Sequence, residues 1–116
     1  MRPKILLVVE DEFLVALDME MILAEAGFTV LGPAGSVDEG LELLGGQPPD
    51  AALLDNNLNG RSAGPIAAAL TQMGVPFAFV TGNDRDGLPA DFNGAPMVRK
   101  PFDQERLIAM ARQLTK

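Results

Sequence analysis

The sequence predicts an α/β protein, with one parallel sheet covered by helices on both faces. Two observations carry this. Three continuous apolar runs, Ile5–Val9, Ala51–Leu54 and Val75–Val80, each stop at a polar side chain. Runs of that kind read as strands buried on both faces. Stretches of helical period separate them, and the strand–helix alternation repeats five times along the chain. Such alternation builds a parallel sheet whose functional edge lies outside the carboxyl ends of the strands.

The first strand is Ile5–Val9, ended by Glu10. A helix follows from Glu12 to Ala26, with Phe13, Leu14, Leu17, Met21 and Ala24 as its predicted inward stripe and Gly27 as its stop. Phe28–Leu31 is a short strand closed by Gly32-Pro33. Ser36 and Glu39 have capping-box spacing and open a helix that runs to about Leu44. The third strand, Ala51–Leu54, runs into Asp55, and Asn56 to Gly60 reads as a polar loop. A helix through Ile66–Met73 starts near Gly64-Pro65. Val75–Val80 ends at Thr81-Gly82, and Met97–Arg99 ends at Lys100-Pro101. Asp103 caps the last helix, whose apolar positions are Leu107, Ile108, Met110, Ala111 and Leu114. Between Asn83 and Pro96, Gly87, Pro89, Gly94 and Pro96 allow a helix of at most about two turns.

Composition narrows the chemistry. The 116 residues make one domain, and 47% apolar content argues against disorder. The chain has no Cys and no His. That excludes disulfides, thiol chemistry, thiolate or imidazole metal sites and His-based triads. The balance of 9 basic against 16 acidic residues, −7 in all, argues against a nucleic-acid partner. The apolar run before Glu10 is too short for a membrane span, and Glu10-Asp11-Glu12 is unlike a signal-peptide cleavage region. A cytoplasmic protein is the expectation.

Polar groups then converge at the strand ends: Glu10 and Asp11 after the first strand, Asp55 after the third, Thr81 after the fourth, Lys100 after the fifth. Taken singly, each has a plain structural explanation. Glu10 or Asp11 caps the next helix, Asp55 and Thr81 start turns, and Lys100 is a surface charge. Five such groups at one edge of one sheet outweigh those separate explanations. Two carboxylates 4 Å apart repel by about 4 kcal/mol at an effective dielectric near 20. A cluster of three therefore calls for a cation, from Lys100 or from a hard divalent ion such as Mg²⁺.

These residues resemble a known family, the receiver domains of two-component response regulators. The matching pieces are Val8-Val9-Glu10-Asp11-Glu12, Leu53-Leu54-Asp55, Val80-Thr81-Gly82 and Lys100-Pro101-Phe102, in family order and at family spacing. The resemblance covers essentially the whole chain and implies a flavodoxin-like (βα)5 sandwich with strand order 2-1-3-4-5. It implies a single receiver domain over residues 1–116 with no output domain. Asp55 matches the phosphoacceptor, and Glu10 and Asp11 match the acid pair that holds Mg²⁺ with it. The backbone carbonyl of Asn57 matches a further Mg²⁺ ligand. Thr81 matches the hydroxyl that binds the phosphoryl oxygen, and Lys100 matches the lysine that pairs with it. The bond before Pro101 is cis in many receivers.

The resemblance implies a regulatory phosphoacceptor, not an enzyme in the ordinary sense, catalysing only its own phosphorylation and dephosphorylation. Its phosphoryl donor would be a sensor histidine kinase or a phosphotransfer protein, and its output an unidentified downstream protein. It would act as a monomer or weak homodimer. The sequence departs from the common pattern at Asn59, where proline is frequent, and at Met97, where an aromatic residue is frequent. Phe79-Val80-Thr81-Gly82 is close to a Phe-Ala-Thr-Gly receiver subgroup, in which the fourth helix is short or irregular. In place of aromatic rotation, the expectation is that phosphorylation orders the segment from Gly82 to Gly94. Three other readings compete: a flavodoxin-like cofactor binder, a Mg²⁺-dependent phosphohydrolase with an Asp nucleophile, and a receiver that signals without phosphorylation. Glu10-Asp11-Glu12 would repel a cofactor phosphate. The phosphohydrolase's Asp-x-Asp is absent, since Asn57 stands two residues after Asp55. The intact set of acids, Thr81 and Lys100 speaks against the third.

Overall fold

The predicted sheet is present in the computed structural model, which describes residues 2–82, 92 and 94–116. In chain order the elements are β1 (Ile5–Val9), α1 (Phe13–Glu25), β2 (Thr29–Ala34), α2 (Val37–Gly46) and β3 (Ala51–Leu54). Then come β4 (Asn57–Leu58), β5 (Arg61–Ser62), α3 (Gly64–Met73), β6 (Phe77–Thr81), β7 (Met97–Arg99) and α4 (Gln104–Leu114). Five strands pair in parallel in the order β2-β1-β3-β6-β7, the flavodoxin-like order 2-1-3-4-5 once the small β4–β5 pair is set aside.

Strand alternation divides the core into two layers. Leu7, Val9, Leu54 and Phe79 face α2 and α3, where Val37, Leu44, Ile66 and Leu70 meet them. Leu6, Val8, Leu53 and Val80 face α1 and α4, where Met19, Leu23, Leu107 and Ala111 meet them. Burial on both faces explains why β1, β3 and β6 read as unbroken apolar runs. Among the described residues no helix is long and apolar enough to cross a membrane.

Helix signals behave as the sequence predicts. Ser36 Oγ accepts the Glu39 N–H at 3.1 Å, and Asp103 Oδ1 accepts the Arg106 N–H at 2.8 Å. Pro65 sits in the first turn of α3, and Gly74, at φ 72°, ends it in the left-handed conformation.

Three readings need correction. The inward stripe of α1 is not Phe13, Leu14, Leu17, Met21 and Ala24. Ala16, Met19, Ile22 and Leu23 are buried, while Phe13 and Leu14 are 76% and 77% exposed. The helix is apolar on most sides, so period alone could not choose the face. Second, β2 does not close at Gly32-Pro33 but runs on to Ala34. One extra residue is taken up as a bulge, since Leu7 pairs with Leu31 but Val9 with Ala34. Gly32 is required there, because its φ is 100° and a Cβ would lie 2.7 Å from the Ala34 nitrogen. An edge strand tolerates Pro33. Third, the polar loop after Asp55 is a hairpin, β4 paired antiparallel with β5. The expected short fourth helix (83–96) and the ordering segment (82–94) lie mostly outside the described residues.

Candidate functional site

Each predicted site residue lies at or just past the carboxyl end of a sheet strand, except Asn57, which lies in the hairpin. Parallel pairing aligns those ends. The Glu10 N–H bonds to the Ala34 carbonyl at 2.9 Å, and the Asp55 N–H to the Val9 carbonyl at 2.8 Å. Thr81 is the last residue of β6, and its carbonyl accepts the Lys100 N–H at 2.9 Å. Thr81 itself is buried. The Lys100–Pro101 peptide bond is cis, as is Gly32–Pro33.

The side chains of three of these residues form one network. Lys100 Nζ lies 2.5 Å from Glu10 Oε1 and 3.2 Å from Asp55 Oδ2, with Glu12 Oε1 further out at 3.9 Å. The Glu10 side chain is fully buried, and its Oε2 accepts the Glu12 N–H at 3.0 Å. Asp55 has both oxygens engaged, because Oδ1 accepts the Asn57 N–H at 3.1 Å while Oδ2 faces Lys100.

The electrostatics follow from burial. Removal from water pushes the Glu10 carboxyl up to about 7, against the pull of the Lys100 bond and the Glu12 amide. Burial works to lower the Lys100 ammonium, but the bond to Glu10 and the charge of Asp55 outweigh it, so it stays above its usual value. One ammonium thus stands against a surplus of carboxylate.

Glu10, Asp11 and Asp55 each bring one carboxylate oxygen within 4.8 Å of the others. The donors are all hard oxygens, and the chain has no His or Cys. That donor set fits Mg²⁺. A cavity of about 240 Å³ opens beside Glu10 and Asp11, walled in part by Phe13, Leu17, Pro33 and Glu39.

Sequence reasoning missed what the hairpin contributes. Asn59 and Gly60 sit at φ 55° and 86°, the two positive values of a type I′ turn. The Gly60 N–H bonds to Asn57 Oδ1 at 2.8 Å, and the Asn59 N–H reaches Asp11 Oδ2 at 3.0 Å. Leu58 turns into the core, only 2% exposed, and anchors the hairpin. Asn56 is buried as well, and its carbonyl accepts the Ala63 N–H at 3.0 Å. The adjacent Asn59-Gly60 pair was the available signal, since Asn-Gly is the strongest short hairpin cue.

Comparison with known proteins gives one family. The model of the response regulator receiver domain matches residues 6–112. The sensory transduction protein LytT of Bacillus anthracis is 32% identical over 114 residues, covering 95% of this chain and 46% of that protein. The chain spans about half the length of the curated relatives it matches. Among solved structures, SdrG from Sphingomonas melonis Fr1 superposes with a TM-score of 0.83 at 33% identity, covering 97% of this chain and 96% of that one. The receiver domain of the PhyR response regulator from Erythrobacter litoralis superposes at 0.87 with 26% identity, covering 98% and 91%.

Proposed function

The chain belongs to the response regulator receiver domain family, and on that premise we propose that Asp55 is a phosphoacceptor whose modification switches protein–protein contacts. One observation carries the reading: Asp55, Glu10 and Asp11 meet at the strand ends, and a single lysine pairs with two of them, Glu10 and Asp55.

The roles follow from the contacts. An oxygen of Asp55 attacks the phosphorus of a phosphohistidine on a partner. The P–N bond breaks, its electron pair returns to the imidazole, and an aspartyl phosphate remains. The chain has no His of its own, so the donor is another molecule, a sensor histidine kinase or a phosphotransfer protein. Glu10, Asp11, Asp55 and the Asn57 carbonyl would hold a Mg²⁺ ion, which supplies charge neutralisation for the transferring oxygens. Lys100 moves from Asp55 Oδ2 to a phosphoryl oxygen, a short step from 3.2 Å. From the end of β6 the Thr81 hydroxyl donates a hydrogen bond to a phosphoryl oxygen. The domain catalyses its own phosphorylation and dephosphorylation, and its product is a changed surface for a downstream protein.

The test is incubation with Mg²⁺ and acetyl phosphate, followed by intact mass. One added phosphoryl group that depends on Mg²⁺ supports the reading. No added mass at any donor concentration, with Mg²⁺ bound, removes it.

A further inference from the structure

Asp11 is the most exposed of the three clustered acids, and Lys100 pairs with the other two, Glu10 and Asp55, and not with Asp11. Its side chain needs some other restraint to stay with the cluster. The structure supplies one from 48 residues away, the Asn59 main-chain N–H at 3.0 Å from Asp11 Oδ2. The reason this donor is available is geometric. A two-residue turn uses the carbonyl before it and the amide after it, leaving the first central N–H pointing outward. Here that N–H belongs to Asn59, and the second central N–H is taken by Asn57 Oδ1.

The turn is held in place from below and above. Leu58 is buried in the core layer between the sheet and α3. The Ala63 N–H closes the hairpin base on the Asn56 carbonyl. Asn59 is at φ 55°, where Asn and Gly are comfortable and β-branched residues are strained. Proline there would have no N–H to give.

We propose that Asn59 is a positioning residue of the phosphorylation site, its main-chain amide holding the Asp11 carboxylate in place for the divalent cation. This rests on the phosphoacceptor reading above. It adds that the hairpin which follows Asp55 serves both acids at once, through Asn57 N–H on Asp55 and Asn59 N–H on Asp11. Side-chain identity at 59 matters only through the backbone conformation it permits.

The test compares Mg²⁺ dissociation constants by calorimetry on the intact chain. In Asn59→Gly, which keeps the N–H and favours positive φ, the constant should stay within about twofold of wild type. Replacing residue 59 by its α-hydroxy acid turns the amide into an ester and deletes the donor; Mg²⁺ binding should weaken roughly tenfold, the scale seen when a group orienting a metal ligand is lost. A second measurement covers the case in which the ester variant fails to fold. In Asp11→Ala, which removes the acceptor, amide exchange at residue 59 should accelerate at least about tenfold while Gly60 is unchanged. Equal or tighter Mg²⁺ binding in the ester overturns the proposal, as does equal weakening in Asn59→Gly or unaltered exchange at Asn59. If the wild-type protein binds no Mg²⁺ and takes no phosphoryl group, the phosphoacceptor reading falls first and this one with it.

Discussion

Lys100 Nζ lies 3.2 Å from Asp55 Oδ2 although 45 residues separate the two in the chain. The same ammonium is 2.5 Å from the buried Oε1 of Glu10. Lys100 is therefore the internal counter-ion of the resting site as well as the group proposed to meet the phosphoryl oxygen.

That double duty changes what its removal should do. Lys100→Ala leaves a fully buried Glu10 side chain without its cation. Loss of one partner from a buried pair costs about 3 kcal/mol or more. Metal-free Lys100→Ala should unfold at lower denaturant than wild type by about that amount, and Mg²⁺ should recover more stability in the variant than in wild type. Paired urea melts with and without Mg²⁺ check both.

Leu58 is the anchor of the hairpin and is 2% exposed. Leu58→Ala should cost about 2–5 kcal/mol through the cavity it leaves. It should also weaken Mg²⁺ binding, because the turn that carries the Asn59 amide loses its footing. Calorimetry on the folded variant separates the second effect from the first.

The corrected face of α1 can be tested directly. Leu23 is fully buried and Leu14 is 77% exposed. Leu23→Ala should destabilise by about 2–5 kcal/mol and Leu14→Ala by no more than about 0.5 kcal/mol. The predicted stripe containing Leu14 demands the reverse, and denaturant midpoints distinguish them.

Asp50 provides a pH dependence away from the site. Its carboxylate accepts the Ile5 N–H at 2.7 Å and bonds Arg2, and these hold it below its ordinary 3.8. A lowered carboxylate stabilises the fold above its unfolded value, and that contribution is lost as pH falls through the folded value. Wild type should therefore lose stability below about pH 4, and Asp50→Asn should show a shallower loss. Thermal melts between neutral pH and pH 2 measure the difference.

The parts of the fold legible in the sequence share one property: a single physical constraint acts there. Burial on both faces leaves β1 and β3 no polar residue and β6 only its last, Thr81, so the runs and the groups that end them stand out. Caps such as Ser36 and Asp103 are read from local spacing alone. In α1 the constraint was not single. Phe13, Leu14, Leu17 and Met21 compete with Ala16, Met19, Ile22 and Leu23, and only the position of the sheet decides. The link from Asn59 to Asp11 was invisible for another reason, since a main-chain donor leaves no side-chain signature.

The central claim is that Asp55 takes the phosphoryl group, and intact mass after acetyl phosphate treatment tests it most directly. In the presence of Mg²⁺ the wild-type chain should gain one phosphoryl group, and Asp55→Asn, which keeps the size of the side chain but loses the nucleophilic carboxylate, should gain none. The same mass gain in Asp55→Asn as in wild type would contradict the account.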